Sequence, residues 1–252
     1  MDPGPSAIVF VGLTGAAIGS FINVVTYRLP RGESVVGPRS RCPSCQVQIA
    51  GYDNIPVVSW LVLQGHCRRC GASISARYPV IEALTAALFV AVAARADTGS
   101  ELASGLVLAA TLVAVAMIDL EHRIVPNRLL APAALAALLI WGLLDPARLP
   151  QNLIAGAGAG FALLLPAVLY PAGMGMGDVK LAAVMGLFLG RAVIPALFLG
   201  FAAGSVVGVG IMLARGSSAR KQAIPFAPYL ALGGICAQLL GDELVDWYLN
   251  HF

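Results

Sequence analysis

Residues 102–120 read LASGLVLAATLVAVAMIDL, a run whose single ionisable side chain, Asp119, stands next to its end. About 20 apolar residues in a helix rise roughly 30 Å, the thickness of the hydrocarbon core of a bilayer. A carboxylic acid in such a run is expensive to keep and marks a functional position by default. Reading this stretch as a membrane span governs the reading of everything around it.

Comparable apolar runs lie near 5–25, 80–95, 128–144, 151–170, 179–192, 193–214 and 228–248, which makes about eight. The whole 252-residue chain is 58% hydrophobic and 12% charged, with mean hydropathy +0.83. Soluble domains carry about a quarter charged residues, so a soluble fold is excluded. The net charge of +3 makes no case for nucleic acid. The first run lacks a basic leader region and reads as a retained span, with no signal peptide to remove. The expected fold class is an all-α polytopic membrane protein of about eight transmembrane helices with a small zinc-binding cytoplasmic domain. Three parts follow: a first helix over 1–26, a polar zinc-binding domain over 27–79, and a membrane bundle over 80–252.

Charge sets the orientation. With eight alternating spans and the 27–79 loop inside, every Lys and Arg except Arg95, Arg148 and Arg191 falls on the inner side. Short loops rich in Lys and Arg stay in the cytoplasm. Both termini then lie outside.

Within 27–79, Cys42-Pro-Ser-Cys45 and Cys67-Arg-Arg-Cys70 form two knuckles. Two residues between sulfurs let both thiolates of a turn reach one ion, and two such turns complete a tetrahedron. A closed four-sulfur zinc site folds a domain too small to bury its own core, and leaves no coordination position for catalysis. Two disulfides are the competing reading, which a reducing cytoplasm disfavours. His66 is superfluous as a ligand. Cys236 reads as a small packing residue in the last run.

The chemistry is therefore expected in the membrane. Asp119 closes the third run, in Ile118-Asp119-Leu120-Glu121-His122-Arg123. Asp178 follows the glycine-rich turn Gly173-Met174-Gly175-Met176-Gly177 and opens the sixth. The Lys and Arg topology puts both at the same cytoplasmic edge. Two carboxylates at one depth suit aspartyl proteolysis, in which they share a proton. The glycines Gly175 and Gly177 offer positive φ and close backbone approach to a substrate. Competing readings are an Asp119–Arg123 pair and a helix-capping role for Asp178. Glu82, just inside the second run, is equally a substrate-facing acid or a hydrogen-bond acceptor for the loop. Lys180 either stabilises a carboxylate or extends to the interface, and Asn127 ties helices together. Gly156-Ala157-Gly158-Ala159-Gly160 is read as a helix–helix contact, since no strand precedes it.

Gly175-Met176-Gly177-Asp178 resembles the GxGD signature of membrane aspartyl proteases. Gly19 to Pro30, Asp53 to Leu61, Arg77 to Glu82, Asp119 to Asn127 and Pro225 to Tyr229 are similar, in order, to segments of the type 4 prepilin peptidases. Presenilin-like proteases share GxGD but lack the cysteine domain. The resemblance implies an aspartic endopeptidase of the bacterial cytoplasmic membrane, with Asp119 and Asp178 catalytic. Its substrates would be prepilins and pseudopilins of type IV pili or type II secretion. Each carries a short basic leader, a glycine before the cut and a hydrophobic helix after it. Glu121 and Glu82 become candidates for steering that leader. Many such enzymes also N-methylate the new terminus with S-adenosylmethionine, an implication of the resemblance alone. Outside this class, the chain reads as a proton-coupled transporter whose zinc domain docks a partner, but it shows no repeated halves.

Overall fold

The computed structural model describes residues 4–169, 174–215 and 225–251. Among these the structure is helical, with isolated β-bridges and no strands. The chain divides into two units, 1–95 and 96–252.

The first unit hangs on two long helices, α1 (Pro5–Arg28) and α3 (Arg77–Arg95), packed along their length. Small residues make that packing close. A Cβ on Gly19 would stand 2.7 Å from the Cα of Glu82, and one on Gly15 would stand 2.8 Å from the Cα of Ala86. Between two helices already in lipid, this approach supplies dispersion contact where a hydrophobic drive is missing. Asn23 of α1 donates to the Tyr78 carbonyl at 3.3 Å, tying the loop ends of the pair. Between α1 and α3 lie the two cysteine knuckles and the five-residue helix α2 (Val58–Val62).

The second unit is a bundle of six helices: α4 (Gly99–His122), α5 (Asn127–Leu144), α6 (Leu149–Leu169), α7 (Met176–Leu189), α8 (Val193–Arg215) and α9 (Ala227–His251). A capping box starts α4. The Thr98 hydroxyl takes the Glu101 N–H at 3.2 Å and the Glu101 carboxylate takes the Thr98 N–H, also at 3.2 Å. Helix α4 supplies Leu108, Leu112 and Val115, all but fully buried, to the core it shares with Leu181, Met185 and Leu230. Helices α6 and α7 cross at glycines. A Cβ on Gly186 would lie 2.6 Å from the Gly156 Cα, and one on Gly160 would touch Ala183. The 156–160 run is thus a helix contact, as its place inside a span predicts.

The expected eight apolar runs correspond to α1 and α3 to α9. Among the described residues, six stretches are long and apolar enough to cross a membrane, one of them the continuous 39 residues Met176–Ala214. That stretch contains both α7 and α8, separated only by a 3-10 turn at Gly190 with φ 55°. Helix α9, 25 residues long, carries the apolar stretch Ala227–Gly241.

Candidate active site and metal centre

Three helix ends of the second unit meet at the aspartates. Helix α4 stops because Arg123 adopts a left-handed conformation, φ 55°, and its N–H closes on the Asp119 carbonyl at 2.9 Å. The chain then passes through Ile124 and Val125 to Pro126, which caps α5. Helix α7 begins after Gly175, and the Asp178 N–H returns to the Gly175 carbonyl at 3.1 Å. Helix α9 begins at Ala227, whose main-chain N–H donates to Asp119 Oδ2 at 3.1 Å.

Both carboxylates are nearly sealed from water, Asp119 at 5% exposure and Asp178 at 9%. They interact electrostatically with each other. The N–H of Ala227 at the start of α9 is the polar group that this helix brings to Asp119, and Asp178 stands in the first turn of α7, at the positive end of its dipole. The second unit thus places two buried carboxylates at helix ends, with a main-chain donor on Asp119.

The glycines serve differently from the sequence-based expectation. Neither Gly175 (φ −81°) nor Gly177 adopts positive φ. Gly177 is needed for space instead: a Cβ there would stand 2.8 Å from Val125 Cβ, in the link that leaves Asp119. A Cβ on Gly175 would only touch Asp178 Oδ2, at 3.5 Å. Gly173 lies outside the described residues.

Lys180 Nζ donates to Asn127 Oδ1 at 3.1 Å, which fastens α7 to the start of α5. Glu121, in the last turn of α4, has its carboxylate 3.8 Å from His122 Nε2. Glu82 belongs to the first unit, where it is buried and accepts the Val57 N–H at 2.7 Å. Val57 is a β-branched residue at φ 61°, a costly conformation that this bond helps hold. The Ala227 donor was missed in the sequence, because a main-chain N–H has no residue signature.

The four cysteines of the first unit come together. Their sulfurs all lie within 4.8 Å of one another, Cys42 and Cys70 at 3.8 Å, and none is in a disulfide. A tetrahedron with Zn–S bonds of about 2.3 Å has edges of about 3.8 Å, so the set fits a four-coordinate soft metal ion. The two knuckles are copies at an offset of 25 residues. Cys42 N–H bonds the Val47 carbonyl as Cys67 N–H bonds that of Ala72, and Gln46 N–H bonds the Cys42 carbonyl as Gly71 N–H bonds that of Cys67. The bridges Arg41 to Gln48 and His66 to Ser73 repeat the same offset. Gln46 and Gly71 turn each knuckle at positive φ.

The main-chain N–H groups of Cys45 and Ser44 lower the Cys42 thiol to about 6. The Ala72 N–H favours a Cys70 thiolate, but burial and the neighbouring sulfurs outweigh it and push that thiol up to about 11. Four sulfurs this close ionise together only around a cation. Arg68, inside the second knuckle, grips Asp53 with two N–H groups at 2.7–3.0 Å. His66 does not join the sulfurs; its Nδ1 lies 2.6 Å from the Gln64 carbonyl.

The family described as Bacterial Peptidase A24 N-terminal domain matches residues 13–96, and the Type IV leader peptidase family matches residues 106–211. The chain is 39% identical to a protein of Aeromonas hydrophila named prepilin leader peptidase/N-methyltransferase, over 96% of this chain and 93% of that one. Proteins with the same name from Bacillus subtilis (strain 168) and Neisseria gonorrhoeae are 36% and 34% identical, over 94% and 98% of this chain and 95% and 96% of theirs. No solved structure matches the chain significantly.

Proposed function

The chain belongs to the type IV leader peptidase family, and on that premise we propose that it is a membrane aspartyl endopeptidase in which Asp119 and Asp178 cut the leader of type IV prepilins and pseudopilins. The observation that carries this reading is the meeting of two buried carboxylates at the ends of α4 and α7.

In this reading one carboxylate is ionised and takes a proton from water as the water attacks the scissile carbonyl. The other, protonated, donates to the carbonyl oxygen and later to the leaving amine. The like charges and the dry surroundings keep one proton shared between them. The Ala227 N–H holds the Asp119 carboxylate in place through the cycle. Glu121 is the acid of this unit best placed in sequence to meet a basic leader.

The four cysteines hold a zinc ion. Its role is structural, closing the loop fold, and no step of the cleavage uses it. Methylation of the new N-terminus, with S-adenosylmethionine as donor, is carried over from the names of the relatives. No residue of this chain is assigned to the donor.

The protein is multi-pass in the bacterial inner membrane. The zinc-binding loop and the aspartates face the cytoplasm and the termini face outward, as the distribution of Lys and Arg supports. Among the outward cations, Arg148 meets Glu101 at 2.6 Å and Asp145 at 3.2 Å, and Arg191 meets Asp246 at 2.9 Å. The test is the mass of a prepilin incubated in detergent with the purified protein, with and without S-adenosylmethionine. Loss of the leader supports the peptidase and a further methyl group supports the second activity. An unchanged mass across several pilin-like substrates removes the proposal.

A further inference from the structure

Helix α2 is built inside out. Ser59 points inward, where its hydroxyl takes the Ile55 N–H at 2.9 Å and donates to the Tyr52 carbonyl at 2.8 Å. The Trp60 indole N–H is likewise used inside, on the Ile74 carbonyl at 3.0 Å. The outward positions Val58, Leu61 and Val62 follow helical spacing and are 52%, 61% and 69% exposed, and Ile55, just before the helix, is 49% exposed. A helix facing water has the opposite pattern, and a contiguous exposed apolar face marks a contact.

The surroundings of this face indicate what covers it. The residue before α2, Val57, is hydrogen-bonded to Glu82, and Glu82 lies about 7.5 Å along α3 from its first residue, Arg77. Segment 55–62 therefore sits beside the first two turns of a membrane helix, not beyond its end. At the same turns α3 is itself apolar and exposed, at Val80 and Leu84. Tyr78 in the first turn of α3 and Tyr27 at the end of α1 are exposed aromatics at the level where tyrosines meet the membrane–water boundary. The loop 27–79 carries seven arginines against Glu33 and Asp53, which suits anionic headgroups.

We infer that α2 is an interfacial anchor whose Ile55, Val58, Leu61 and Val62 face is covered by lipid, so that the metal-binding loop lies on the bilayer. The hydrogen bonds of Ser59, Trp60 and Glu82 turn the polar groups of the segment inward, so that its apolar side chains meet the acyl boundary. Helices of this type are held by buried apolar area and by charge on anionic lipid.

The test uses the full chain in vesicles of phosphatidylethanolamine and phosphatidylglycerol, with a fluorescent amino acid placed at Leu61 or Val62, and at exposed Arg39 as the comparison. Phospholipids brominated on the acyl chain should remove most of the emission at 61 and 62, while aqueous iodide should quench only at 39. Iodide reaching 61 and 62 would overturn the anchor. Protection from both quenchers would also overturn it, since protein would then cover the face. Zinc content reports whether each labelled loop is folded. If labelling displaces the metal, a photoreactive phospholipid added to the unlabelled protein should mark the peptide containing 55–62, and an unmarked peptide would overturn the inference.

Discussion

Ala227 N–H donates to Asp119 Oδ2 at 3.1 Å across 108 positions of sequence. Helix α9 thus begins on the carboxylate that ends α4, and this contact fixes where one member of the acid pair stands. Replacing Ala227 by proline removes the donor at a helix position that otherwise tolerates proline. A buried acceptor left unmatched costs about 1–3 kcal/mol. The expected outcome for Ala227→Pro is a lower kcat with KM little changed, while Ala227→Gly, which keeps the N–H, stays near wild type. Steady-state cleavage of a prepilin by the two variants checks this.

Gly177 makes room for Val125. Gly177→Ala should strain the link that leaves Asp119 by about 1–3 kcal/mol, as overpacking does, and lower both thermal stability and cleavage. The nearest atom to the added methyl is Val125 Cβ. Val125→Gly in the same chain should therefore restore part of both, whereas a glycine required for backbone freedom would show no such rescue.

Glu82 carries the Val57 N–H inside the first unit. Glu82→Gln retains a carbonyl acceptor, so zinc content and the KM for a basic-leader substrate should hold. Glu82→Ala orphans the N–H and should make the 51–65 segment sensitive to limited proteolysis. A raised KM in Glu82→Gln with an intact loop would point instead to a carboxylate that meets the leader.

The purified protein should contain one zinc per chain, and Cys45→Ser or Cys67→Ser should lose it. Chelation should open the 27–79 loop to proteases, because the ion is what joins the two knuckles. Release of protons on adding zinc to the apo protein, measured by calorimetry in buffers of different ionisation heat, is the accompanying sign, since Cys70 is pushed up to about 11 without metal.

Much of this was written locally in the chain. The cysteine spacing and the two aspartates are legible because each chemistry demands particular residue types at short range. The knuckle repeat was legible too, as Arg41–Ala50 against His66–Ser75, each with Cys-x-x-Cys followed by Ile four residues on. The α7–α8 boundary was legible as well: the runs 179–192 and 193–214 meet where α8 begins at Val193, after a turn at the positive-φ Gly190. Gly177 was flagged for the wrong physical reason, since its neighbour Val125 becomes visible only when α7 packs against the α4–α5 link. The Ala227 donor left no trace, as any residue but proline supplies it.

Two carboxylates that share one proton must act as one unit. The most direct measurement is cleavage of a prepilin by purified wild type, Asp119→Asn and Asp178→Asn in detergent, with zinc content and melting temperature recorded for each. A working Asp119–Asp178 pair gives near-complete loss of turnover in both variants with zinc and folding unchanged. Undiminished cleavage by either variant would contradict it.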